Sequence, residues 1–193
     1  RCRRVPVNCY NNHYQGKART LKGIPRLWRG MELSGDELAG VVELFGGLTR
    51  AELDRAVEEL AFKRGAEHDP DALADAVADA WASYHLVTVD AASVDGADGA
   101  GDGDADLLVA GPVAFPTLPE GGTDLPLILE IPERELDRET VGEAAHEQLR
   151  VDALAAAREG DSERAAVLLD VCYDLEAWAP VDTDEFRDRL DDV

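Results

Sequence analysis

The chain has 193 residues, enough for one domain with a substantial core, and it carries 41 acidic residues against 19 lysine and arginine residues, a formal net charge of -22. Residues 1–30 hold eight basic residues and no acidic one, whereas Lys63 is the only lysine beyond position 30. An acidic surface with so little lysine is typical of proteins that work in molar salt, which screens the repulsion between carboxylates. Apolar residues make up 45% of the chain and recur at regular spacing, so the alternative of an ordinary acidic or partly disordered protein fits less well.

The cysteines and the lengths of the apolar runs bear on cellular location. Cys2, Cys9 and Cys172 are too few and too scattered for a disulfide framework. No apolar run approaches the ~18 residues of a membrane span, and the N-terminus has no secretory hydrophobic region. We therefore expect a cytoplasmic protein that makes no membrane contact.

Residues 1–30 differ in composition from everything that follows. They begin at Arg1, are basic and rich in Asn and Tyr, and precede Met31, the only methionine. We expect this segment to be a disordered, non-native upstream extension that arises from a misplaced gene start. Two alternatives are a basic arm for nucleic acid and a zinc half-site at Cys2, Cys9 and His13, whose spacing matches no standard zinc pattern.

The stretch from Leu33 to Tyr84 predicts three helices, because it contains three recognisable helix starts. Ser34-x-x-Glu37 and Thr49-x-x-Glu52 are capping boxes, and Asp69-Pro70 places a capping aspartate before a proline. The predicted helices are Gly35–Phe45, Arg50–Arg64 and Pro70–Tyr84. Apolar spacing in the third predicts an inward face of Leu73, Val77, Trp81 and Tyr84, and an outward row of Asp71, Asp75 and Asp79.

Extended structure is predicted in the middle of the chain. His85–Asp90 and Leu107–Phe115 are strand-like and should form a hairpin. The acidic segment Asp95–Asp106 between them has no side chain that could join a core, so we expect a mobile loop. Leu125–Ile131, with Pro126 near its start, is predicted to be a third, edge strand.

Helical spacing returns after Asp137. The predicted helices are Arg138–Glu159, Ser162–Ala179 and a short one near Asp184–Leu190. The first two form a hairpin similar to one tetratricopeptide unit, which we expect to pack on the N-terminal helices. The fold class predicted for residues 31–193 is α+β and mostly helical, a single domain. Its first half, 31–131, is winged-helix-like, and its second half, 132–193, is a helical hairpin with a final helix.

Nucleic-acid binding is the functional hypothesis that this element order suggests. In a winged helix the third helix enters the major groove, but here that helix has no Lys or Arg and carries the aspartate row. Carboxylates repel phosphate, so DNA binding is disfavoured. The possible contacts to nucleic acid or to a protein partner lie on the second helix: Arg50, Arg55, Lys63 and Arg64.

Motifs for metal binding and catalysis fail on spacing. An EF-hand counted from Asp102 would need Gly and a carboxylate where Leu107 and Val113 stand. His146 and Glu147 begin an HExxH-like run, but Arg150 replaces the second histidine, so we expect an ordinary surface helix there. The sequence predicts no catalytic residue, no cofactor site and no metal site, and hence no enzyme.

The run MELSGDELAGVVELFGGLTRAELDRAVEELAFKRG, which starts at Met31, resembles the opening of a family of uncharacterised haloarchaeal proteins, a domain of unknown function. The similarity extends through WASYHLV and AREGDSERAAVLLD and covers most of residues 31–193. It implies a halophilic, cytoplasmic protein, but no activity, ligand or catalytic residue.

These observations lead to one functional prediction with two alternatives. We predict a non-enzymatic protein-interaction or regulatory domain, whose partner is an unknown protein or a second copy of the chain. The first alternative is a winged-helix transcription regulator, and the second is an enzyme of unknown class.

Overall fold

The computed structural model of the chain describes residues 31–91 and 106–193. The predictions for residues 1–30 and for the acidic loop up to position 105 lie outside these described residues. Within them, the fold is α+β and mostly helical, as predicted. No helix among the described residues has both the length and the apolar character that a membrane span requires.

The described residues form seven α-helices and three strands, and a single turn of 3-10 helix at Gly122–Asp124 leads directly into the helix that begins at Leu125. The helices and strands are α1 (Gly35–Glu43), β1 (Leu48–Thr49), α2 (Arg50–Arg64), α3 (Pro70–Ala82), β2 (Leu86–Asp90), β3 (Asp106–Ala110), α4 (Leu125–Ile128), α5 (Arg138–Glu159), α6 (Ser162–Trp178) and α7 (Asp184–Asp191).

Both predicted capping boxes are present. The Ser34 hydroxyl accepts from the Glu37 N–H at 3.2 Å, and the Glu37 carboxylate accepts from the Ser34 N–H at 2.9 Å. Thr49 and Glu52 repeat this exchange at 3.2 and 2.8 Å. These bonds satisfy N–H groups that have no partner inside the helix, which explains why α1 and α2 begin where the sequence predicts.

The three strands form an antiparallel sheet in the order β1-β3-β2. The predicted hairpin is present, with Thr88 opposite Leu108. The strand predicted to continue to Phe115 stops at Ala110. The next residue, Gly111, packs so closely against the Tyr84 carbonyl that a Cβ there would clash. β1 has only two residues, too few for a pattern, and was not predicted.

Helices cover the sheet on both faces, and each face belongs to a different core. Leu86, Leu108 and Ala110 pack with the N-terminal helices. The alternate residues pack with α5, α6 and α7: Val87, Val89, Leu107 and Val109. Burial on both faces explains why the strands are continuous apolar runs rather than alternating ones. The prediction that the C-terminal hairpin packs on the N-terminal helices is therefore wrong, since it packs on the sheet.

The predicted third strand at Leu125–Ile131 is also wrong. Leu125–Ile128 forms the short helix α4, and Leu125 is buried against the N-terminal helices. Pro126 lies in the first turn of α4, where a helix does not need the missing N–H. Proline is compatible both with an edge strand and with the first turn of a helix, so Pro126 alone did not distinguish the two structures.

Tyr84 ends α3 with an unusual backbone conformation. Its φ of 61° is left-handed, and the His85 N–H donates back to the Ala80 carbonyl at 2.9 Å. This turn carries the Tyr84 side chain away from the N-terminal core and into the C-terminal one. The prediction that Tyr84 shares an inward face with Leu73 and Val77 is therefore wrong, because those two residues belong to the other core.

Candidate protein-interaction surface

A groove of about 800 Å³ lies between α3, the start of α2 and the sheet. Its floor and walls are mostly apolar, with one cation and one carboxylate among them. We call it the Trp81 groove, and it is lined by Arg50, Val77, Ala78, Trp81, Thr88, Asp106 and Leu108.

Trp81 is the large apolar side chain that remains accessible in this groove. Its side chain lies on α3 one turn after Val77, but 40% of the residue is exposed, whereas Val77 is buried. Trp81 therefore lies on the predicted side of α3, next to Val77 in the groove, but it is not fully covered there. The Gln148 side chain donates a 3.0 Å hydrogen bond from α5 to the Trp81 carbonyl, so the backbone below the indole is held in place.

Two charged residues line the Trp81 groove, Arg50 and Asp106. Arg50 donates a long bond of 3.4 Å to the Ala74 carbonyl and remains exposed. Asp106, the first residue of β3, is exposed as well. The aspartate row of α3, Asp71, Asp75 and Asp79, is exposed but does not line the groove. The groove therefore has one cation and one carboxylate in its lining.

The four basic residues predicted as contacts do not form one patch. Arg50 and Arg64 lie at opposite ends of α2, about 21 Å apart at 1.5 Å per residue. The Lys63 ammonium donates to the Gly121 carbonyl and to Asp124, both at 3.3 Å, and Arg64 donates to the Glu120 carbonyl at 3.0 Å. Lys63 and Arg64 therefore hold the connection that leads into α4.

Most other cations also have a partner within the chain. Arg134, Arg150, Arg164, Arg187 and Arg189 pair with carboxylates, and Arg138 stacks on the Trp178 ring at 4.2 Å. Among the described Lys and Arg residues, Arg55 and Arg158 alone have no hydrogen bond, ion pair or ring contact with another described residue. Few cations are thus left to meet phosphate groups.

A second, more polar cleft of about 600 Å³ lies between the end of α1, β3 and the start of α5. Arg134 in its wall is only 3% exposed, and both terminal nitrogens of its guanidinium contact Glu52 at 2.9 Å. Burial alone would raise the pKa of the Glu52 carboxyl, but hydrogen bonds from Arg134 and Thr49 hold it below its ordinary value. Arg134 also donates to the Gly47 carbonyl at 2.7 Å, so it fixes the α1–α2 connection.

Three carboxylates meet near the C-terminus, at Glu176, Asp182 and Asp184. Two of them already have strong donors. Glu176 accepts from the Thr183 N–H and hydroxyl and from Arg187, and Arg187 also pairs with Asp184. The Thr183 bonds lower the pKa of Glu176. The contacts identify this cluster as an anchor that fastens α7 to α6.

His146 is half-buried rather than a plain surface residue. Its ring lies 4.7 Å from the Phe186 ring, and Nε2 is 3.0 Å from the Asp182 carbonyl oxygen. Arg150, one turn further on, pairs with Glu147. These contacts give His146 a packing role between α5 and α7.

Sequence reasoning missed the Trp81 groove because helical periodicity gives the direction of a side chain but not what covers it. The one available signal was Trp81 itself, which follows a run of small residues on α3 and begins the WASYHLV stretch. The aspartate row was identified correctly as exposed.

These features define an α+β, mostly helical chain with a doubly covered sheet. The chain belongs to a family of unknown function, DUF7109, whose model matches residues 36–193. No curated protein and no solved structure matches the chain.

Proposed function

We propose that this chain is a non-enzymatic protein-interaction domain that binds a partner protein through the Trp81 groove. The observation that carries the proposal is the exposed indole of Trp81 in an apolar groove on a fixed backbone. Tryptophan is enriched among the residues that dominate protein–protein binding energy, because it combines a large apolar area with few rotatable bonds.

The scaffold we propose is winged-helix-like. The order α1-β1-α2-α3-β2-β3 and the sheet order β1-β3-β2 support this assignment. In this scaffold α3 would be the recognition helix, and the Trp81 groove lies along it. The solvent-facing side of α3 carries carboxylates rather than cations, which favours a protein partner over DNA.

We further propose that the protein works in the cytoplasm of a salt-loving cell. The net charge of -22 and the scarcity of lysine support this setting. In molar salt the Debye length falls to ~3 Å, so apolar contacts keep their strength while long-range charge attraction fades. An interface built around an indole suits such conditions better than one built on surface ion pairs.

Site-specific photocrosslinking tests the proposal. A photoreactive amino acid replaces Ala78, which lines the groove, and in a matched control it replaces Val167, which is exposed on α6. In an extract kept in molar KCl, we expect the probe at position 78 to capture a discrete protein. The probe at position 167 should not, and Trp81→Ala should abolish capture. The captured protein is then purified and titrated against the unmodified chain.

Two results would contradict this function. The first is capture at position 78 that Trp81→Ala leaves intact, or no capture there at all. The second is a sequence-specific gel shift with genomic DNA in molar KCl that Arg50→Ala and Arg55→Ala remove. That second result would establish the DNA-binding alternative, since Arg55 is an uncommitted cation of α2.

A further inference from the structure

We draw no further inference here: the strongest candidate, the polar cleft between the end of α1, β3 and the start of α5, is lined by carboxylates as well as by the Arg138 guanidinium, and Arg134 Nε, the buried nitrogen in its wall that has no hydrogen-bond partner among the described residues, belongs to a side chain with no exposed surface, so nothing in the structure shows which ligand the cleft would take.

Discussion

The Tyr84 hydroxyl donates a 3.0 Å hydrogen bond to the Asp152 carboxylate, which ties the end of α3 to the middle of α5. Asp152 also accepts from Arg164 at 2.8 Å, and the same Arg164 nitrogen lies 3.1 Å from the Ala82 carbonyl oxygen. A phenol, a carboxylate and a guanidinium therefore fasten the C-terminal helical hairpin to the helix that lines the Trp81 groove.

Tyr84→Phe removes only the hydroxyl of this arrangement. We expect it to lower the free energy of unfolding by about 1 to 3 kcal/mol, because Asp152 loses a donor in a buried setting while Arg164 keeps it paired. Urea denaturation at fixed, molar KCl measures the change. Tyr173→Phe is the control, since Tyr173 is exposed and its ring contact with Arg187 survives the substitution. Equal effects of the two substitutions would count against a role for the Asp152 bond.

The same tyrosine predicts how stability changes in alkaline solution. Burial, and then the neighbouring Asp152 charge, raise the pKa of Tyr84 above its ordinary value of 10.0. Above pH 10 the unfolded chain releases this proton and the folded chain keeps it, so stability should fall by about 1.4 kcal/mol per pH unit. Tyr84→Phe should lack this component. Unfolding curves between pH 9 and 11 test it, and parallel losses in the two proteins would refute it.

Arg134 and Glu52 form a buried ion pair, and removing one partner should cost more stability than removing both charges together. Arg134→Met leaves the Glu52 carboxylate without its main counter-charge and frees the α1–α2 connection, so we expect a loss of about 3 kcal/mol or more. The double variant Arg134→Met, Glu52→Gln should recover part of this loss, because no unpaired charge is left and glutamine can still cap Thr49. A double variant less stable than Arg134→Met would show that the unpaired Glu52 carboxylate is not the cause of the loss.

Acid should weaken the fold through the same carboxylate. The pKa of Glu52 is held below its ordinary value of 4.5, so its contribution is complete above that pH and is lost as the pH falls through the folded-state pKa. Glu52→Gln should therefore show a flatter decline in stability below pH 4.5 than the unmodified chain. Thermal melting in molar KCl between pH 6 and 3 compares them, and identical slopes would exclude Glu52 as a contributor.

Salt should stabilise the chain by screening its carboxylates. Lowering KCl to ~0.1 M should reduce the midpoint of thermal unfolding, and Asp75→Asn with Asp79→Asn should recover part of the loss by removing an i, i+4 repulsion. Glu147→Gln is the control, because Glu147 pairs with Arg150 and its neutralisation removes an attraction instead. A chain equally stable at both salt levels would contradict the proposed salt-rich setting.

Local sequence signals predict where the helices begin, whereas the features that were not predicted depend on tertiary contacts. Ser34 with Glu37 and Thr49 with Glu52 place α1 and α2 because each box is completed within four residues. β1 at Leu48–Thr49 depends on pairing with β3, some sixty residues later, so no local pattern could reveal it.

The same distinction explains the errors around the candidate interface. Trp81 and Val77 follow the same helical spacing, yet only Val77 is covered. Tyr84 fits that spacing also, but its left-handed backbone turns it toward α5 and α6. The exposure of the aspartate row could be predicted, because charged residues are rarely buried without a partner and the three aspartates share one side of α3.

The sheet that is covered on both sides limits how the gene could be shortened. A chain ended at Ile131 would keep α1 to α4 but would bare Val87, Val89, Leu107 and Val109 to water. Such a truncated chain is expected to aggregate through this exposed apolar surface. The N-terminal half is therefore not an independent module that could be moved into another protein by itself.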